Sequence, residues 1–219
     1  MNPTQMKNSG IEWIGDIPED WSVWRIKHLA KNPLQYGANE TGEEFDENLP
    51  RYIRITDVSL DNELKNDNKL SLPMEKAEEY MLNDGDILFA RSGATVGKSF
   101  YYKKEYGLSC FAGYMIRLTT DSNKIISKLV YYYTLSNAYS EWTNMIFIQA
   151  TIQNISAEKY ANLSIPVPPM EQQQKIINHL DQKCAEIDRI ISSNNRIIEK
   201  LKQYRQSIIY EAVTGKIEL

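Results

Sequence analysis

The chain lacks the sequence features of membrane, secreted and disulfide-stabilised proteins. Its 219 residues contain no run of the about eighteen apolar residues that a membrane-spanning helix needs, and the polar segment from Met1 to Gly10 is unlike a signal peptide. The two cysteines, Cys110 and Cys184, are far apart and form neither a metal-binding pattern nor a disulfide framework. We therefore predict a cytoplasmic chain with reduced thiols and no metal site.

Catalytic motifs are also scarce. Neither His28 nor His179 has a serine or cysteine nucleophile pattern around it, and the chain lacks the glycine-rich loop and Asn-Pro-Pro-aromatic sequence of an adenine methyltransferase. Residues 91–99 resemble a nucleotide-binding loop, but Gly93 and Gly97 enclose one residue fewer than that loop requires. A strand, a glycine turn and a second strand explain this segment better. We predict no catalytic residue and no cofactor bound by this chain.

Charge is unevenly distributed along a chain whose net charge is −4. Residues 40–86 contain fourteen acids and five bases, whereas residues 91–128 contain seven bases and two acids. This separation can give an acidic protein a local positive face for phosphate, unless the two segments lie together and neutralise each other. Four residues of the acidic segment resemble the carboxylate and lysine set of a metal-dependent nuclease: Asp57, Asp61, Glu63 and Lys65. Chance explains this set more readily, because the segment is so rich in acids.

The C-terminal segment has a heptad pattern. Eight of the ten residues spaced alternately by three and four are apolar, and this spacing predicts a helix that packs along a partner helix. A helix over residues 170–214 would be about 65 Å long. The proline-rich segment 166–169 precedes it as an extended connector, and Gly215 can end it in a left-handed conformation. The heptad residues are Ile177, Leu180, Cys184, Ile187, Ile191, Asn194, Ile198, Leu201, Arg205 and Ile208.

Residues 1–165 show mixed patterns that predict a single α+β domain. Segments 51–56, 85–90 and 114–118 favour strands, and residues 124–142 favour a helix. Residues 146–155 favour a strand followed by a loop, after which Ser156 can cap a helical turn. The predicted architecture is this domain, the connector, one long helix and a tail at 215–219.

Four segments resemble the specificity subunit of type I restriction-modification systems. These are Ile11–Trp21, Gly85–Lys98, Ile165–Gln173 and the ending from Leu201 to Lys216. Together they span nearly the whole chain, and the order of connector, heptad helix and ending is highly specific.

The resemblance implies a non-catalytic subunit that recognises double-stranded DNA. The resemblance implies that members of the family contain two repeats, each a target recognition domain followed by a conserved helix. The two helices pair antiparallel and set the distance between two half-sites on DNA. Partner modification subunits use S-adenosylmethionine to methylate adenine, and restriction subunits, where present, use ATP and Mg²⁺. This chain departs from the pattern because it holds one domain and one helix, so it resembles half of such a subunit.

From this departure we predict a homodimer joined by the heptad residues. Asn194 and Arg205 either set orientation and register or are tolerated positions at the solvent edge. Two domains related by a twofold axis would recognise an inverted repeat. Pairing with a different half subunit is an open alternative, as is an adaptor or inactive fragment that binds modification subunits without recognising DNA.

For the DNA-contacting surface we predict the basic segment and the loop near its end. Lysines suit phosphates, whereas arginines and amides can recognise base edges. Alternatively, the glycine turn is purely structural and its lysine a solvated charge. The predicted DNA-binding residues are Arg91, Ser92, Thr95, Lys98, Lys103, Lys104, Arg117, Gln149, Thr151 and Gln153.

Overall fold

The chain forms two units in the computed structural model, which describes residues 5–59, 63–93, 95–148 and 154–216. The first unit, Met1–Gln174, consists of short strands and helices, and the second, Lys175–Leu219, contains most of one long helix. The predicted α+β class is confirmed. Within the described residues, no helix is both long and apolar enough to cross a membrane.

The strands and helices have the following bounds in the described residues. The strands are β1 (Met6–Asn8), β2 (Asp16–Pro18), β3 (Ser22–Arg25), β4 (Gln35–Tyr36), β5 (Glu43–Glu44), β6 (Arg51–Ile53), β7 (Leu70–Ser71), β8 (Ile87–Ala90), β9 (Ser99–Tyr101), β10 (Ser109–Phe111), β11 (Met115–Leu118) and β12 (Ser164–Val167). The helices are α1 (Ile26–Leu29), α2 (Met74–Ala77), α3 (Ser127–Thr134), α4 (Asn137–Ile148), α5 (Ala157–Ala161) and α6 (Met170–Val213).

The antiparallel sheet β4-β11-β8-β9 separates two apolar cores. Successive side chains of a strand point to opposite faces, and β8 is buried on both. Its residues Ile87 and Phe89 join a core with helices α3, α4 and α5, whereas Leu88 packs on the other face with Phe100 and Phe111. This double burial explains why residues 87–90 form a continuous apolar run rather than an alternating one.

A second sheet, β10-β6-β7-β5, lies beside the first and is joined to it by hydrogen bonds around Ala38. The Ala38 amide donates to Phe111 O at 2.9 Å, and the Gly113 amide donates to Ala38 O at 2.7 Å. Gly37 allows this approach, because a Cβ atom there would lie 2.4 Å from the carbonyl oxygens of Phe111 and Ala112. The close joint holds the two sheets of the domain together.

Three predicted segments differ from the structure. The strand predicted at 51–56 ends at Ile53. A short 3-10 turn, Ile55–Asp57, follows it, and Asp57 Oδ2 accepts from the Arg54 amide at 2.8 Å. The helix predicted at 124–142 is two helices, α3 and α4. The side chains of Thr134 and Ser136 donate to nearby backbone carbonyls and favour the break. Residues 146–148, predicted as the start of a strand, belong to α4; residues 149–153 lie outside the described part.

The expected helical turn after Ser156 is confirmed as α5. Ser156 Oγ accepts from the Lys159 amide at 3.3 Å, as expected of an N-cap residue.

Half of the predicted connector belongs to a strand. Pro166 and Val167 lie in β12, which pairs antiparallel with β3. A proline is tolerated there because this two-stranded sheet leaves each strand one unpaired side, so a missing amide donor breaks no ladder. The extended conformation was predicted correctly, but the pairing was not.

The first turn of α6 is part of the first unit. Gln173 is fully buried, and its Oε1 accepts from the Ile126 amide at 2.8 Å, while its Nε2 donates to Pro168 O at 3.0 Å. Gln172 Oε1 accepts from Trp21 Nε1 at 3.0 Å. The compact unit therefore includes the residues up to Gln174.

The end of α6 agrees closely with the prediction. Gly215 has φ +69°, and the amide of Lys216 donates to Glu211 O at 2.8 Å while that of Gly215 donates to Ala212 O at 3.3 Å. This pair of bonds is the Schellman arrangement that commonly ends helices at glycine.

Candidate nucleic-acid interface

The glycine segment forms a tight turn between β8 and β9. The amide of Ala90 donates to Lys98 O at 2.8 Å and that of Gly97 donates to Ala90 O at 3.0 Å. Gly93 and Gly97 have φ values of +84° and +86°, which other residues rarely adopt. A nucleotide-binding loop leads from a strand into a helix, whereas this turn leads into a strand, so the resemblance to that motif was misleading.

Arg91 opens this turn. Its guanidinium carbon lies 4.7 Å from the ring centre of Tyr36 in β4. Its Nε is buried without a hydrogen-bond partner, and no hydrogen bond or ion pair joins its side chain to another described residue. The Arg91 carbonyl accepts from the Ile155 amide at 2.9 Å, and Ser92 forms a β-bridge with Asn154. The turn is thereby joined to the chain that follows segment 149–153.

Two other predicted cations make hydrogen bonds inside the domain. Lys98 Nζ donates to Ser59 O, and Arg117 donates to Met81 O and to Gln35 Oε1. Donors used in this way contribute to the fold and are less available to DNA. The role of Lys98 and Arg117 in DNA binding stays a prediction.

The remaining predicted residues do not form one cluster. Lys103 and Lys104 follow β9, at the end of the β8–β9 hairpin opposite Arg91. Lys103 Nζ lies 5.9 Å from the Tyr106 ring centre, and the side chain of Lys104 is exposed. Thr95 is a half-buried residue of the glycine turn. Gln149, Thr151 and Gln153 lie outside the described residues.

The two tyrosines beside Arg91, Tyr36 and Tyr114, were not among the predicted site residues. Tyr36 is 39% exposed and Tyr114 is 67% exposed, and the Tyr114 carbonyl accepts from the Arg91 amide at 3.1 Å. Tyr114 was noted only as the start of a predicted strand. They lie beside Arg91 because β4 and β8 both pair with β11. No local sequence pattern predicts this pairing.

The acidic and basic segments lie close together at several points. Besides the bond from Lys98 to Ser59, Tyr106 Oη donates to Glu63 Oε2 at 3.1 Å, and burial together with Glu63 raises the pKa of Tyr106 to about 12. Asp57 is paired with Arg54 at 2.8 Å, and Lys65 Nζ donates to Thr56 O at 2.9 Å. These groups of the possible nuclease set have structural partners, and the described residues contain no cluster suited to a metal ion.

Asp86 illustrates a structural use for a motif residue. Burial raises the pKa of its carboxyl, while bonds donated by the Asn83 amide and the Thr119 hydroxyl favour the ionised form. The carboxyl holds the turn that leads into β8.

The predicted heptad residues fall into two groups along α6. Ile177 is 2% exposed and Leu180 is half-buried, whereas the residues from Cys184 onward are exposed. The exposed apolar face is also broader than the heptad predicts, because it includes residues adjacent to the heptad positions: Ile190, Ile197, Tyr204 and Ile209. Surface pairs such as Lys183–Glu186, at 2.9 Å, occupy other positions.

Comparison with known proteins identifies the family. A family model described as the type I restriction modification DNA specificity domain matches residues 18–203. The EcoKI specificity subunit of Escherichia coli is 27% identical over 212 residues, 93% of this chain and 44% of that protein. The MjaVIII specificity subunit of Methanocaldococcus jannaschii is 24% identical, over 94% of this chain and 48% of that protein.

Solved structures support the same fold. A chain from a type I restriction-modification complex superposes with a TM-score of 0.70 at 19% identity, covering 94% of this chain and 48% of that one. The HsdS subunit of Thermoanaerobacter tengcongensis gives a TM-score of 0.62 at 18% identity, covering 97% and 48%. The chain thus spans about half the length of these relatives, whose names agree with the predicted non-catalytic subunit. The extent of the family match establishes that the chain belongs to the type I restriction-modification DNA specificity domain family.

Proposed function

We propose that this chain is a DNA-recognition subunit that works as a homodimer and directs adenine methylation by partner subunits. Residues 1–165 recognise one half-site, and α6 pairs antiparallel with α6 of a second copy. The observation that carries this proposal is the exposed apolar face of α6. Ile187, Ile191, Ile198 and Leu201 are between 48% and 60% exposed in a single chain.

A second copy is the occupant that best fits this face. A long helix gains too little from its own hydrogen bonds to keep such a face in water, so a helical partner is expected. Each relative is about twice as long as the region that this chain matches, so two copies supply an equivalent length. Asn194 and Arg205 interrupt the apolar face and are suited to define orientation and register.

Twofold symmetry has a consequence for the target. Two identical domains on an antiparallel pair of helices present the same recognition surface in opposite directions, so the target is an inverted repeat with a fixed spacer. The partners are modification subunits, which carry S-adenosylmethionine, and, where present, restriction subunits, which use ATP and Mg²⁺. This chain supplies recognition and spacing and binds none of these cofactors.

An adaptor that binds modification subunits without recognising DNA is the second candidate. It is favoured by Lys98 and Arg117, whose donors are engaged inside the domain. An adaptor joins the modification subunits but gives no sequence preference, so the target specificity of the complex distinguishes the two functions.

Methylation mapping at single-base resolution tests the proposal. DNA is taken from cells that express this chain with its cognate modification subunit, and from cells that express the modification subunit alone as the control. A split palindromic motif with methylated adenine is expected only when this chain is present. An asymmetric motif would overturn the homodimer in favour of a different half subunit, and the absence of methylation would favour the adaptor.

A further inference from the structure

Two arginines of the domain lie over aromatic rings but differ in their hydrogen bonding. Arg117 lies 5.4 Å from the Phe111 ring centre and donates to two acceptors within the domain, Met81 O and Gln35 Oε1. Arg91 lies 4.7 Å from the Tyr36 ring centre and has no acceptor among the described residues. The guanidinium of Arg117 is held by hydrogen bonds within the domain. The side chain of Arg91 makes no hydrogen bond to a described residue.

The polar atoms around Arg91 indicate which hydrogen-bonding groups its ligand must carry. Its buried Nε and the buried Oδ1 of Asn154 both lack partners among the described residues, and the two residues adjoin through the β-bridge of Ser92 with Asn154. A buried polar group without a partner costs about 1–3 kcal/mol, so structures rarely retain one without a reason. Because no carboxylate pairs with Arg91 in the described part of the chain, a ligand of its guanidinium must supply hydrogen-bond acceptors, whereas Asn154 Oδ1 requires a donor.

A base edge suits this site better than a phosphate. The contact with the Tyr36 ring limits where the guanidinium can lie, and a positioned fork of donors matches two acceptors in one plane. Guanine presents such a pair, O6 and N7, in the major groove, and arginine is its commonest partner. An arginine fork also binds phosphate, but a lysine can do so as a point charge, so phosphate binding does not require a donor positioned by an aromatic ring.

We infer that Arg91 recognises a guanine in each half-site and that Tyr36 is the residue that positions it. This inference rests on the proposed function, since it assigns one base of the target to one side chain. Tyr36 is itself held in place, because its hydroxyl accepts from the Ala157 amide at 3.0 Å. The platform is therefore built from β4 and the start of α5, and the arginine from the end of β8.

The test compares the methylation motifs of matched variants in complex with the modification subunit. Arg91→Lys keeps the charge but removes the fork, so the preference for guanine at one position of each half-site should fall about 10-fold, with other positions and the spacer unchanged. Arg25→Lys, at an exposed residue of β3 outside the predicted DNA-binding set, is the control and should leave the motif unchanged. Tyr36→Leu should relax the same position as Arg91→Lys, whereas Tyr36→Phe, which retains the ring and loses only the bond from the Ala157 amide, should relax it less.

Several outcomes would overturn the inference. Arg91→Lys would retain the full motif if Arg91 had only a structural role, and it would weaken methylation equally at all sequences if Arg91 contacted phosphate. If a variant methylates no DNA, binding of its purified complex to duplexes that carry each base at each position supplies the same comparison. A wild-type chain that directs no sequence-specific methylation would instead refute the proposed function itself.

Discussion

The two units of this chain differ in how far their apolar side chains are buried. In the unit Met1–Gln174, the strand β8 is buried at every position and contributes to two cores. In the unit Lys175–Leu219, α6 presents isoleucines, a leucine and tyrosines that are mostly about half exposed. Both units carry regular apolar patterns, but only the first buries its pattern within one chain.

The difference indicates where each unit obtains its stability. The domain buries apolar side chains between sheets and helices, so burial within one chain contributes to its stability. Most of α6 obtains no such burial from its own residues, so its apolar face gains stability only through association. We therefore expect mutations in the domain to change unfolding and mutations on α6 to change assembly.

The largest expected effect is on the core of the domain. Phe89 is fully buried and stacks on Tyr160 with ring centres 4.4 Å apart. Phe89→Ala should lower the free energy of unfolding by about 3–5 kcal/mol, because it leaves a cavity between β8 and α5. Phe45→Ala is the control, since Phe45 is 37% exposed, and denaturant titration should show a much smaller loss. Equal losses in the two variants would contradict the assigned core.

A smaller effect, on assembly rather than folding, is expected for Leu201→Asp. Leu201 is 60% exposed in the single chain, and a carboxylate there would be buried in the proposed helix pair. The dimer should weaken by at least about 2 kcal/mol, about 30-fold, in sedimentation equilibrium, with the thermal unfolding of the domain unchanged. Gln203→Asp, on the opposite side of α6, should leave the dimer intact. A dimer that survived Leu201→Asp would refute helix pairing.

The reactivity of the two cysteines tests the difference in burial between the domain and α6, with a smaller expected effect. Burial raises the pKa of the Cys110 thiol to about 12, whereas Cys184 is exposed on the predicted pairing face. At pH 8, a thiol reagent should modify Cys184 quickly in the monomeric Leu201→Asp variant and slowly in the wild-type dimer. Cys110 should react only on unfolding. The variants Cys110→Ala and Cys184→Ser assign each rate, and rapid reaction of Cys110 in the folded protein would contradict its burial.

The Cys110 thiol also makes the free energy of unfolding depend on pH. The ordinary thiol pKa is 9.0, and the folded protein raises it to about 12. Between these values the unfolded chain loses the proton and the folded chain keeps it, so the contribution of Cys110 is present below about pH 9 and is lost as pH rises to about 12. Cys110→Ala should flatten this part of the stability curve.

Local patterns predicted the ends of α6 well. The helix was expected to begin at Met170 and does so, and Gly215 ends it because glycine adopts a positive φ at little cost. Ser156 was likewise recognised as a cap from its own hydroxyl. Each of these features depends on residues within one or two turns of the chain, which is the range over which sequence patterns act.

Features that depend on distant residues were predicted less well. Pro166 belongs to a strand because β3, far earlier in the chain, pairs with it. Arg91, Lys98 and Arg117 were grouped by charge, but Lys98 and Arg117 donate to carbonyls of other segments. The stacking of Arg91 on Tyr36 follows from the order of strands in a sheet, which no local pattern encodes.

The sequence by itself determined the α+β class, the long helix with its apolar face and the family resemblance, because apolar periodicity, caps and motifs are properties of neighbouring residues. Tertiary structure alone decided which cations remain available for a ligand and where the compact unit ends. The buried Gln173 extends that unit into the helix through bonds to Ile126 and Pro168. The physical reason is that hydrogen bonds and ring contacts between distant segments form only when the sheet brings those segments together.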